Sequence, residues 1–224
     1  MRQLILDLLP ETAPSLDNFV AGANGETLAT LAAWLDPAHG ESSLYLWGEA
    51  GAGKTHLLRA SGLIYHDAAA DPDLSGGNAC TGEHAVDHVE ALSGAGQIAL
   101  FNLFNRLRGT GGKLLTAGRL PPRELALRED LRTRLGYGLI CRLQTLTDDE
   151  RFAALSAQAE ARGLRLPPEI LGYLLTRAPR DMRSLAALLA ALDRYSLEHK
   201  RPITLPLLRD VLHAPPTTAS CTEP

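Results

Sequence analysis

The chain has 224 residues, 45% of them hydrophobic and 21% charged, with 26 acidic against 22 basic side chains and a formal net charge of −4. That length suits one large domain or two small ones with an ordinary core, and the mild acidity excludes a global electrostatic pull toward nucleic acid. Cys80, Cys141 and Cys221 are odd in number and far apart, which argues against a disulfide framework or a zinc site.

In chain order, residues 1 to 13 read as an extended arm with alternating apolar positions, set off by Pro10 and Pro14. Asp7 falls where a secretory signal would stay apolar, and no run approaches the roughly 20 residues of a membrane span, so a cytoplasmic protein without membrane segments is expected. Leu28, Leu31, Ala32 and Leu35 then recur at helical spacing until Asp36-Pro37 stops them, and Ser43 to Trp47 is an apolar strand. The stretch Gly48-Glu49-Ala50-Gly51-Ala52-Gly53-Lys54-Thr55 follows that strand and opens a short helix from Lys54 to about Ala60. This is the setting of a Walker A phosphate loop. Gly48, Gly51 and Gly53 let the backbone wrap phosphates with its N–H groups, Lys54 reaches the outer phosphates and Thr55 offers a hydroxyl to Mg²⁺. His56, next in the run Gly-Lys-Thr-His-Leu-Leu, is counted with the nucleotide-binding residues. The expected ligand is ATP or ADP.

Leu63-Ile64-Tyr65 reads as a second strand, Ala68 to Gly82 as an Asp/Gly/Ala-rich loop and Ala85 to Val89 as a third strand. His84 and His88 lack a third ligand in spacing, so they read as polar residues near a sheet edge rather than a metal site. Ile98 to Leu107 is an amphipathic helix, Lys113 to Ala117 a buried strand and Gly138 to Leu143 a last short strand. Strands alternating with helices predict an α/β fold: a parallel sheet with helices on both faces and a nucleotide at the carboxyl ends of the strands. Thr147-Asp148-Asp149-Glu150 reads as a capping box, and everything beyond it reads as helix, at about 148–162, 168–177, 180–199 and 205–212. The division is an arm over 1–13, a nucleotide-binding domain over 14–146 and a small all-helical lid over 147–213. The Pro/Thr tail over 214–224 is too poor in apolar residues to order.

An α/β nucleotide domain followed by a helical lid resembles the plan of the AAA+ ATPases, and five stretches narrow the resemblance to the DnaA family. They are Gln3-Leu4-Ile5-Leu6-Asp7-Leu8, the loop ending Gly-Lys-Thr-His-Leu-Leu, Asp87-His88-Val89-Glu90, Leu131-Arg132-Thr133-Arg134-Leu135-Gly136-Tyr137-Gly138 and Arg180-Asp181-Met182-Arg183-Ser184-Leu185. The resemblance covers about residues 2 to 212. It implies that Asp87 is the Walker B acid sharing Mg²⁺ with Thr55. It makes Arg134 an arginine finger for the γ-phosphate of a neighbouring subunit, with Arg128 and Arg132 as alternatives within a turn or two. Arg183 matches sensor II, which reaches the chain's own nucleotide, and Thr116 or Arg119 falls where the family carries sensor I. His88 stands where an active ATPase has a second acid, so slow hydrolysis by the chain alone is expected. Gln3, Leu4, Leu6 and Leu8 resemble the peptide that docks on the DNA polymerase sliding clamp.

The implied role is negative regulation of DNA replication initiation: bound to the DNA-loaded clamp, the chain would stimulate hydrolysis of ATP held by the initiator DnaA. No helix-turn-helix follows the lid, so direct sequence-specific DNA binding is not expected, and self-association is left open. The rivals are an autonomous AAA+ ATPase of the helicase-loader kind and a small-molecule kinase, whose lid would sit inside the α/β unit.

Overall fold

The computed structural model describes residues 13–76, 82–164, 166–177, 182–199, 203–205 and 208. The chain divides after Leu146 into an α/β unit and a helical unit.

Among the described residues, five strands build the first unit: β1 Ser43–Trp47, β2 Ile64–Asp67, β3 His84–Asp87, β4 Leu114–Gly118 and β5 Leu139–Arg142. All pair in parallel, in the order β2-β3-β4-β1-β5. The central strands are apolar on both faces, as a sheet covered on both sides requires. Leu44, Leu46, Ala85, Leu115 and Ala117 point into one core with Leu31 and Trp34 of α1 (Gly25–Leu35) and Leu57 and Leu58 of α2 (Lys54–Ala60). Tyr45, Val86 and Leu114 point into the other, against α3 (Gly94–Thr110) and α4 (Glu129–Leu135). The expected fold class is what the chain adopts.

Element ends move for local reasons. Strand β2 runs on to Asp67, in register with Asp87. Strand β3 stops there, short of Val89, because His88 turns into the left-handed region with φ 54°. It starts at His84, whose ring is buried by stacking on His66 of β2, with Nε2 of His66 and Nδ1 of His84 2.8 Å apart. Helix α3 starts at Gly94, where the Ser93 side chain accepts the Gly96 N–H.

The helical unit contains α5 (Asp148–Ala161), α6 (Pro168–Arg177) and α7 (Met182–His199). Its core joins Leu155, Ile170, Leu171, Leu174, Leu185, Leu188, Leu189 and Leu192 with Ile203 and Leu208. The capping box is formed: Thr147 Oγ1 accepts from the Glu150 N–H at 3.2 Å, and Glu150 Oε2 accepts from the Thr147 N–H at 2.8 Å. Most of the expected helix over 205–212 lies outside the described residues, as do the arm and the tail. No described helix is long and apolar enough to cross a membrane.

Candidate functional site: the phosphate loop and its cation pocket

The loop leaves β1 at Gly48, where φ is +156° and a Cβ would lie 2.1 Å from the Leu143 carbonyl oxygen. Only glycine passes there, because Leu143 is held against the loop by its N–H bond to the Trp47 carbonyl at 2.7 Å. Gly51 is exposed on the loop. Gly53, with φ +94°, precedes α2, and a Cβ on it would meet the Phe19 ring at 2.6 Å.

Lys54 is 7% exposed, and its Nζ donates to the Gly48 and Glu49 carbonyls at 2.7 and 2.8 Å. Burial pushes its pKa below the ordinary lysine value, while the carboxylates of Asp87 and Glu90 pull the other way. An ammonium enclosed by its own loop's carbonyls is a cation held ready for an anion. At the carboxyl end of β3, Asp87 is fully buried. Its Oδ2 accepts from Thr55 Oγ1 at 2.6 Å and from Tyr65 Oη at 3.2 Å, and its Oδ1 accepts from the His88 N–H at 2.9 Å. Thr55 donates its proton to Asp87 and so keeps its lone pairs for a cation. Two hard oxygens side by side suit Mg²⁺. The residues present therefore fit a magnesium nucleotide.

His88 does not supply a second acid. Its Nδ1 donates to Asp67 Oδ1 at 2.9 Å and lies 3.8 Å from Asp87 Oδ2. His56 turns to the segment before α1: its Nε2 donates to the Ser15 carbonyl at 2.9 Å and its ring sits 5.6 Å from that of Phe19. Residues 15–19 therefore strap the loop, which sequence reasoning missed; the apolar pair Leu16 and Phe19 in a polar segment was the available signal. Buried Asn24 was missed as well. It donates to the Gln144 carbonyl at 2.9 Å and accepts from the Gln144 N–H at 2.7 Å, tying the chain after β5 to the start of α1.

A cleft of about 310 Å³ opens beside the loop between Trp47, Gly48, Glu49, Arg119, Arg142 and Gln144. Thr116 is enclosed within β4 at 3% exposure, whereas Arg119 lies beyond the strand end with Nε 3.5 Å from Glu90 Oε1. Arg142 covers the Trp47 ring at 5.1 Å.

On α4, the three candidate finger arginines differ. Arg128 is committed to Asp130 at 2.7 Å. Arg134 is half-buried, with its guanidinium 5.8 and 5.9 Å from the Phe101 and Phe104 rings, and among the described residues no carboxylate neutralises it. Arg132 is half-buried one position from Thr133 on the same helix. Arg183 lies on α7, but its side chain is outside the described set, and so are Gln3, Leu4, Leu6 and Leu8.

A family model described as the bacterial DnaA ATPase domain matches residues 11–75, and one described as the Hda lid domain matches residues 148–212. The two matches support a Hda/DnaA-like AAA+ protein. Among solved structures, domain III of the Thermotoga maritima replication initiation protein DnaA matches with a TM-score of 0.71 at 21% identity, over 92% of this chain and 97% of that one. AMPPCP-bound DnaA from Aquifex aeolicus matches with a TM-score of 0.65 at 24% identity, over 87% of this chain and 71% of that one. Thermotoga maritima RuvB matches with a TM-score of 0.63 at 15% identity, over 93% of this chain and 72% of that one. At these identities the structures establish a shared AAA+ fold.

Proposed function

We propose that this chain binds ATP or ADP with Mg²⁺ through Lys54, Thr55 and Asp87 and acts in the cytoplasm as a negative regulator of replication initiation. Anchored on the DNA-loaded sliding clamp by Gln3, Leu4, Leu6 and Leu8, it presents Arg134 to ATP bound by the initiator DnaA and stimulates its hydrolysis. The observation that carries this reading is the state of Arg134: a guanidinium resting on two aromatic rings with its charge unneutralised. Such a charge is free to offset the negative charge that develops on a partner's phosphoryl group, an effect worth about 10³ to 10⁵ in turnover for fingers supplied in trans. Arg128 cannot serve without giving up Asp130.

In the chain's own site, Lys54 binds and orients the phosphates, while Asp87 and Thr55 hold the cation that screens their charge. The rival reading as a self-sufficient ATPase requires a water-orienting carboxylate after Asp87, and the side chain there is His88, bonded to Asp67.

The deciding experiment measures hydrolysis of DnaA-bound ATP on clamp-loaded DNA. Arg134→Ala should abolish the stimulation while nucleotide and clamp binding persist, and Arg132→Ala, the matched control, should retain most of it. Full stimulation by Arg134→Ala would remove the finger from the account.

A further inference from the structure

Asp87 is a fully buried carboxylate that, among the described residues, forms no ion pair with a lysine or arginine. Its hydrogen bonds come from neutral donors instead. The His88 N–H holds Oδ1 at 2.9 Å, while Thr55 and Tyr65 converge on Oδ2 at 2.6 and 3.2 Å. Of the two donors on Oδ2, Thr55 has a second duty as a cation ligand. Tyr65 has none: it stands on β2, in register with Ala85 of β3 and outside the phosphate loop.

We propose that Tyr65 is a positioning residue of the cation site, its hydroxyl fixing Oδ2 of Asp87 beside Thr55 so that carboxylate and hydroxyl meet a divalent cation as one rigid pair. This rests on the reading that the loop binds a magnesium nucleotide. Besides the His88 N–H on Oδ1, the hold on Oδ2 comes from Thr55, which is itself a cation ligand, and an oxygen fixed only by a partner that moves loses the near-ideal octahedral geometry Mg²⁺ demands. The donor from β2 fixes Oδ2 independently of Thr55. The Arg59 guanidinium covers the ring at 4.8 Å and holds the phenol in place for this task. The arrangement brings three elements to one oxygen: β2 supplies the anchor, β3 the carboxylate and α2 the shared ligand.

The test is calorimetric titration with the non-hydrolysable triphosphate AMPPCP, in Mg²⁺ and separately in excess EDTA, on wild type, Tyr65→Phe and Thr55→Val. Tyr65→Phe should weaken AMPPCP binding in Mg²⁺ roughly tenfold, the size of one lost hydrogen bond to a charged group, and leave binding in EDTA unchanged. Thr55→Val should erase the gain from Mg²⁺. Equal affinity of Tyr65→Phe and wild type in Mg²⁺ overturns the inference, and so does an equal fall in both buffers, which marks a merely structural role. Wild type that binds AMPPCP no better in Mg²⁺ than in EDTA defeats the cation-site reading itself, and this inference falls with it.

Discussion

Lys54 carries its charge among carbonyl oxygens of its own loop, and that placement makes its removal severe. Lys54→Ala deletes the point charge proposed to meet the outer phosphates and frees the Gly48 and Glu49 carbonyls it holds. Titration with fluorescent ADP should find no saturable binding by this variant. A second prediction concerns the buried phenols. Burial, with Asp87 and Asp67 nearby, raises the Tyr65 pKa from 10.0 to about 12, and burial with Glu90 raises that of Tyr45 further. Because the folded values lie above the unfolded one, the unfolded chain loses these protons first. The stability these groups contribute is complete below about pH 10 and declines as pH climbs from 10 toward 12. Melting temperature should therefore drop across that window, and absorbance at 295 nm should show late-ionising tyrosine. At this scale the Walker residues were legible because the motif is contiguous. Tyr65, Phe19 and Asn24 were not, since each acts on a partner far away in sequence: Asp87, Gly53 and Gln144.

Elements repeat the same contrast between local and distant causes. Strands β1 and β4 were readable as runs buried on both faces, and α5 announced itself through Thr147 and Glu150, three residues apart. The start of β3 was not, because a histidine is a poor strand residue until His66 stacks on it from the neighbouring strand. The end of β3 depends on the left-handed turn at His88, which no apolar pattern encodes. The capping box carries a prediction of its own. Thr147→Ala removes the acceptor for the Glu150 N–H, and such caps are worth about 1 kcal/mol. Urea unfolding followed by far-UV circular dichroism should show that loss in the transition reporting helix, with AMPPCP affinity of the phosphate loop unaltered by the cap itself.

For the molecule as a whole, the proposed function makes the clamp contact and the AAA+ body separable. If Gln3 and Leu4 enter a pocket on the clamp, replacing both with alanine should abolish binding to purified clamp in surface plasmon resonance and remove clamp-dependent stimulation of DnaA. Melting temperature and nucleotide affinity should stay at wild-type values. A large fall in melting temperature would instead make the arm a structural part of the fold, and retained clamp binding would move the contact elsewhere on the surface.

The strand order has a temporal consequence. Strand β1, which leads into the phosphate loop, pairs among the described residues with β4 and β5, both made much later in the chain. During synthesis at roughly 5 to 20 residues per second, the loop sequence emerges early but waits seconds for the strands that give it shape, with Leu143 still to come to close against Gly48. The growing polypeptide therefore carries the full Walker sequence without a Walker site. If the loop binds nucleotide as proposed, capture by a nascent chain would mark the completion of the sheet through Arg142, and a transcript cut short before that point would yield a polypeptide bearing the motif and lacking the affinity.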